Sequence, residues 1–347
     1  MAAFSYPSGT NTFVPSFDAT GHLVVSYSRN PKDFSLNKYV SLTPVKKSSG
    51  YWLKITAEVA ARVINSDKLR EFVWHDGDDA PDGNWNAESF KWLQFATERY
   101  VYPFQIGYKA NEQADWKILA AYADYAAQDA MTARTLKVLN VLTDTSNHDT
   151  SHYDTATNLV GGSLASGTPT DPRFKKLVNK VMFQIQKATL GMVRPKDMMV
   201  LCSPTFADEL SRSQEVHTYL KESPFSLAQV RGDSESQNGV WGLPDQLYGM
   251  PIVIEDAVRV SSKKGATRSA DYVLGSDKIL FLTRKGGLTS PAGGPSFSSC
   301  HIFSYEEMTT EQRDDPDNRR IKGRVVEDFD VRLVSPASTY LVTSALG

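Results

Sequence analysis

"LYGMPIVIED", residues 247–256, is the phrase on which the reading of this chain turns. A Tyr-Gly-Met-Pro unit runs straight into an apolar segment, Pro251 to Ile254, with Leu243-Pro244-Asp245-Gln246 before it and Ala257-Val258 after it. Gly249 permits a tight turn, and Pro251 opens the strand where no ladder donor is needed. The run Ile252-Val253-Ile254 predicts a strand buried on both faces. Nothing in the phrase points to chemistry, yet it is among the best-defined in the chain.

Composition sets the outer bounds. The chain has 347 residues, 41% apolar and 22% charged, enough for a large core in one elaborate fold or roughly two or three domains. A formal net charge of -2 removes the whole-chain argument for nucleic acid binding. No apolar run approaches the eighteen or so residues needed to cross a bilayer. The opening "MAAFSYPSGTNTFVPSF" has neither the basic start nor the apolar centre of a secretory signal. Cys202 and Cys300 each lie in an apolar stretch, which favours buried reduced thiols over a disulfide or a zinc site.

The organisation is mixed. Residues 1–38 are rich in Ser, Thr, Asn, Pro and Gly and read as an extended arm. Tyr51, Leu53 and Ile55 alternate with Trp52 and Lys54, the period of a strand. Tyr100, Tyr102, Phe104, Ile106 and Tyr108 share one parity, with Pro103 opposite, which predicts an edge strand. Between them "EFVWHDGDDAPDGNWNAESFKW" reads as the polar turn of a long β excursion. From Tyr108 to Val160 there is no Gly and no Pro. Leu119, Tyr122, Ala126, Ala130, Ala133 and Leu136 predict one helix from about Glu112 to Thr143, roughly 45 Å long. Asp171-Pro172 predicts a helix start with Asp171 as cap, Phe174, Leu177, Val181, Ile185 and Ala188 its buried side, and Gly191 its end. "KDMMVLCSPTFADEL" is a buried strand, then Ser203 as cap and Pro204 at the first turn of a helix. Residues 272–283 and 298–305 read as further strands, and Phe329, Val331 and Leu333 alternate with Asp330 and Arg332 in the last. Helices and strands follow no regular βαβ order, so the fold class is α+β.

Candidate chemistry is weak throughout. His148 and His152 in "HDTSHYD" stand four apart beside Asp149 and Asp154, but the segment reads as a solvated loop, and no glutamate follows the first histidine. "HDGDDAPDGN" (75–84) fails the calcium-loop pattern and reads as an acidic turn tip. "RKGGLTSPAGGP" (284–295) lacks the phosphate-loop spacing. Arg173, Lys175, Lys176, Lys180 and Lys187 form a basic face that suits phosphate but is more often simply solvated. "EQRDDPDNRRIKGR" (311–324) mixes both signs and suits an exposed turn.

The order of parts is the stronger signal: polar arm, long β excursion, long helix, compact mixed region, terminal strand. With the phrases "VYPFQIGYKANEQADW", "AAYADYAAQDAMTARTLKVLNVL", "RPKDMMVLCSPTFADEL", "LYGMPIVIED" and "VRLVSPASTYLV" in sequence, the chain resembles the tailed-bacteriophage major capsid protein family, over about residues 20–345. The resemblance implies a Hong Kong 97 type fold. Its parts are an arm (1–38), an extended loop region (39–110), a peripheral domain with the long helix (111–170 and 318–347) and an axial domain (171–317). It implies a structural shell subunit without catalysis, metal or cofactor. Hexamers and pentamers of it would enclose double-stranded DNA in a virion assembled in the host cytoplasm. Implied partners are further copies, a portal, a separate scaffolding protein and, as an option, a decoration protein. DNA is contacted non-specifically and no membrane is involved. Lys54, Lys68 and Lys91 match no crosslinking position of the family, so an uncrosslinked shell is expected. Two other readings stand beside this one: an encapsulin-type nanocompartment, and a hydrolase or metal enzyme built on His148, His152 and Asp154.

On the shell reading, the arm and loop gain stability by lying on neighbouring subunits. Phe13, Phe17, Trp74, Asp79, Trp85 and Trp92 are the candidate inter-subunit contacts, because aromatic groups dominate interface energetics. Cutting the chain near Asp79 is expected to impair assembly while the subunit still folds; sedimentation of the nicked protein, with circular dichroism as the folding control, checks this.

Overall fold

The computed structural model describes residues 33–55, 76–77, 90–114, 117–189, 191, 193–221, 241–263, 265–267, 269–286 and 298–346. They fall into two compact units. Residues 99–133 and 306–328, with 33–34, make one; residues 35–98, 134–305 and 329–346 make the other.

The larger unit is built on a six-stranded mixed sheet. Its order is β5 (Tyr153–Thr155), β14 (Tyr340–Thr343), β11 (Ile279–Thr283), β6 (Met198–Cys202), β8 (Met250–Ile254), β7 (Gln246–Leu247). The two middle strands, MMVLC and ILFLT, are buried at every residue, which only continuous apolar runs allow. Helices α4 (Ala156–Val160), α5 (Arg173–Ala188), α6 (Pro204–Arg212) and α7 (Gln214–Lys221) belong to this unit. Phe174, Leu177, Val181, Ile185, Phe206, Leu210 and Val216 join the sheet's Val200, Ile252 and Phe281 in one core. A small ribbon of β9 (Val258–Val260) and β10 (Ala270–Tyr272) completes the unit's later half.

The phrase at 247–256 lies inside this sheet. Tyr248 and Gly249 both have positive φ, 52° and 81°, the mark of a type I′ hairpin between β7 and β8. Ile252, Val253 and Ile254 are buried, as their run predicts, and they pair in parallel with Val200, Leu201 and Cys202. The left-handed backbone of Tyr248 carries strain that a non-glycine residue keeps only when something holds it. Here the Tyr248 hydroxyl donates to Glu215 Oε1 at 2.8 Å, its ring lies 6.2 Å from Phe174, and Lys175 Nζ sits 5.9 Å from its ring centre.

Glu215 also corrects the expected cap of α5. Asp171 does not cap that helix; the carboxylate of Glu215, buried at 4% exposure, accepts from the amides of Phe174 and Lys175 at 3.0 Å each. A negative charge there meets two orphan N–H groups at the positive end of the helix. Asp171 instead pairs with Lys176 and Arg173. The rest of the local reading holds. Ser203 Oγ accepts from the Phe206 amide at 3.3 Å to cap α6, and Gly191 closes α5 with φ 78° and a bond to the Gln186 carbonyl.

A second sheet runs β1 (Val40–Pro44), β12 (Cys300–Asp315), β13 (Arg320–Leu333), β4 (Glu98–Gly107), with α1 (Leu36–Tyr39) leading into β1. The two long strands belong to both units along their lengths. β4 is an edge strand, with Phe104 and Ile106 buried and Pro103 exposed, as its parity predicts. The excursion needs a correction. The partner of β2 (Ser49–Ile55) is β3 (Phe90–Ala96), a strand whose first three residues the sequence reading placed in the turn and whose rest it did not assign, while β4 pairs elsewhere.

The smaller unit holds α2 (Tyr108–Gln113) and the first part of α3 (Ile118–Thr143). The single helix expected from 112 to 143 is therefore two, because Ala114 takes an extended backbone, φ -79° and ψ 123°. The 26 residues of α3 span about 39 Å. Ala126 and Ala130 are buried against Phe104 and Val325, while Tyr122 turns outward. A Cβ at residue 323 would overlap the Phe104 ring, so glycine is required where β13 passes it.

Glu215→Ala removes two helix-end acceptor bonds and leaves the Tyr248 hydroxyl without this carboxylate. The expected loss is about 2–3 kcal/mol, with a smaller one for Glu215→Gln, read from urea unfolding midpoints.

Candidate functional site

The β2–β3 ribbon has two unlike faces. Its antiparallel register sets Tyr51 opposite Gln94, Trp52 opposite Leu93 and Leu53 opposite Trp92. Successive side chains alternate across a strand, so Trp52 and Phe95 share a side and Tyr51 and Trp92 share the other. On the inner side the buried Phe95 stacks on Phe303, ring centres 4.7 Å apart and planes 8° from parallel. Val334, Val45 and Trp52 pack around that stack. On the outer side Tyr51 and Trp92 are 65% and 64% exposed. Two large aromatic side chains are thus left in water on one side of a ribbon whose other side is anchored, the kind of exposed apolar group that marks a candidate contact surface.

Of the residues expected to make contacts between subunits, Trp92 is the one that can be placed, and it lies on this outer side. Trp74, Asp79, Trp85, Phe13 and Phe17 fall outside the described residues. Asp76 and Gly77, from the acidic tip, form an exposed turn with Gly77 at φ 94°. Tyr51 was not singled out from sequence; its alternation with Trp52 was the available signal.

The histidine segment is not a solvated loop. His148 and His152 are 7% and 3% exposed. The Nε2–H of His148 donates to the Leu142 carbonyl at 2.7 Å, meeting an orphan acceptor in the last turn of α3, and its Nδ1 lies 3.1 Å from Thr339 Oγ1. Ser151 Oγ lies 3.1 Å from His152 Nδ1. Asp154 Oδ1 is taken by the Thr155 amide and by Asn158 Nδ2, at 2.7 and 2.8 Å. The three residues proposed for a metal or hydrolytic centre thus each serve local structure, and burial lowers the pKa of both histidines. Among the described residues no group of His, Cys, Asp and Glu is arranged to hold a metal ion.

The basic face of α5 is also occupied from within the chain. Arg173 donates to Asp171 and to the Ser163 carbonyl, Lys176 meets Asp171 at 2.6 Å, and Lys180 reaches the Leu159 carbonyl at 3.3 Å. The mixed-charge stretch 311–324 is the tip of the β12–β13 hairpin. Asp315 accepts from Lys322, Asn318 and Arg320 there, and the Lys322 ammonium foremost holds its carboxyl well below the usual carboxylate range. Glu311 and Arg324 pair at 2.6 Å beside it. Cys202 and Cys300 are buried free thiols, pushed by burial up to about 12. Among the described residues no helix is long and apolar enough to cross a membrane.

No family model and no curated protein matches the sequence. Solved structures do. A chain of Mycobacterium phage Che8 superposes with TM-score 0.54 at 14% identity, covering 98% of this chain and all of that one (100%). The capsid of cyanophage P-SCSP1u gives 0.55 at 9%, covering 96% and 94%. A phage-related protein of Bordetella bronchiseptica gives 0.56 at 14%, covering 88% and 90%. The chain has the Hong Kong 97 type capsid fold. The sequence-level resemblance is thereby borne out at the level of architecture, as is the α+β class. Within this capsid fold, "LYGMPIVIED" occupies the six-stranded sheet and the outward aromatic pair sits at the root of the β excursion.

One further buried group in the capsid fold went unnoticed in the sequence. His301 on β12 receives the Ser298 amide on Nε2 at 3.3 Å and has Nδ1 3.0 Å from Thr43 Oγ1 on β1. Burial lowers its pKa to about 4. A histidine pKa below the unfolded value of about 6.5 stabilises the fold fully above that pH, and the contribution is lost as pH falls toward about 4. His301→Gln is expected to lose less stability than wild type across that window, measured as urea midpoints at steps between pH 7 and pH 4.

Proposed function

We propose that this chain is the major capsid protein of a tailed bacteriophage. Copies associate as hexamers and pentamers into an icosahedral shell around packaged double-stranded DNA. The observation that carries the reading is the extent of the fold: 96% of this chain aligns with 94% of a cyanophage capsid chain, which leaves no segment of domain size for a separate activity. The role is structural rather than enzymatic. In this reading residues 1–38 are the arm, 39–110 the extended loop region, 111–170 and 318–347 the peripheral domain and 171–317 the axial domain. The outward Tyr51 and Trp92 support a contact between copies, and Phe13, Phe17, Trp74, Asp79 and Trp85 extend it along arm and loop. The net charge of -2 fits a container that confines DNA without binding it tightly. A portal and a separate scaffolding protein are the further partners, a decoration protein an optional one, and the virion is the site of action.

Sedimentation and negative-stain imaging of the expressed protein test this. Shells or capsomer rings are the expected outcome; a stable monomer with enzymatic turnover overturns the reading. Shells filled with a protein cargo would shift it to a nanocompartment. Trp92→Ala is expected to cut shell yield at least about tenfold, since a central aromatic contact contributes about 2 kcal/mol or more. The monomer's circular dichroism should stay unchanged, because Trp92 is 64% exposed within its own subunit.

A further inference from the structure

At the far end of strand β8 from the Tyr248 turn stands Glu255, with 0% exposure. Its Oε2 accepts from Ser35 Oγ at 2.6 Å and from the Tyr39 hydroxyl at 2.7 Å, and its Oε1 accepts from the Ala257 amide at 3.2 Å. Three donors converge on one carboxylate, the arrangement that the ionised form requires. Both hydroxyls come from residues more than two hundred positions earlier, on and beside α1. We propose that Glu255 is a latch on the root of the N-terminal segment: the carboxylate holds residues 35–39 in place, and its loss releases them without unfolding the six-stranded sheet.

The argument rests on where each half of the network lives. The sheet supplies the charge, and the root supplies two of its three donors. Burying a carboxylate without donors is costly, whereas a carboxylate exposed to water is not. With both hydroxyls present, docking the root satisfies the charge. Without them, docking strands the charge, and the chain relieves this by lifting the root so that water reaches Glu255. Burial pushes the Glu255 carboxyl above the usual range while Ser35, Tyr39 and the Ala257 amide draw it down, so the two effects oppose each other at this atom. The root has its own apolar anchors, Leu36 at 2% and Tyr39 at 0% exposure. Replacing all three polar groups by apolar ones therefore leaves a dockable root, and this separates charge from packing.

Peptide-resolved hydrogen exchange on the full-length chain tests the latch. In Ser35→Ala/Tyr39→Phe, amide exchange in residues 35–40 is expected to accelerate about tenfold or more, with Met198–Cys202 unchanged. Adding Glu255→Leu to that pair is expected to bring exchange at the root back to within about threefold of wild type. Three results overturn the proposal. One is exchange at the root within about twofold of wild type in the double variant. Another is a triple variant that exchanges as fast as the double. The third is acceleration that spreads equally into the sheet. Should the double variant fail to fold, Ser35→Ala alone decides by the same comparison, with about threefold acceleration expected at the root and none in the sheet.

Discussion

A buried carboxylate must be met by donors or it drives the structure apart, and this constraint governs the larger unit of the fold. Strand β8 lies between two such groups. At its start the type I′ turn delivers Tyr248 to Glu215, and Glu215 in turn fixes the first turn of α5. At its end Glu255 gathers Ser35 and Tyr39. The apolar residues between them supply most of the burial, but apolar contact has no direction. The carboxylates add direction: each accepts bonds only from donors aimed at it, so each selects which distant segment docks and in what pose. One five-residue strand thereby ties a helix start and the N-terminal root to one sheet.

What was legible in the sequence divides along the same line. Continuous apolar runs announced β6, β8 and β11, and the parity of Tyr102, Phe104 and Ile106 announced an edge strand with Pro103 on its open side. Local capping was readable at Ser203 because cap and capped amide are three residues apart. It was unreadable at α5, where the acceptor is Glu215, some forty residues away. His148 and His152 sit in a polar stretch that reads as solvated. Their burial depends on Thr339 and Tyr340, nearly two hundred residues later, and no local pattern encodes that. The break before α3 was likewise invisible, since Ala114 is a good helix former yet takes an extended conformation.

For the candidate site the sequence named one residue of the exposed aromatic pair, Trp92. It placed Trp92 in the excursion but did not find β3, so the pairing that turns Trp92 and Tyr51 outward was hidden. The register decides this: a shift of β3 by one residue would turn Trp92 inward, away from Tyr51's side, and take Phe95 out of its stack on Phe303. The Phe95–Phe303 stack is thus what makes the ribbon's outer face an outer face.

The place of β14 in the sheet has a consequence for the life of the chain before it meets any partner. Residues 340–343 lie between β5 and β11, and β5, at 153–155, has no other strand neighbour among the described residues. During synthesis, β5 leaves the ribosome long before β14 exists. Leu341 pairs with Tyr153, so β5 finds its place only after β14 has been made. Such distant pairing makes folding slow relative to helical proteins. A product that stops before residue 340 lacks the strand with which β5 pairs. The topology therefore leaves this edge of the sheet open until β14 arrives.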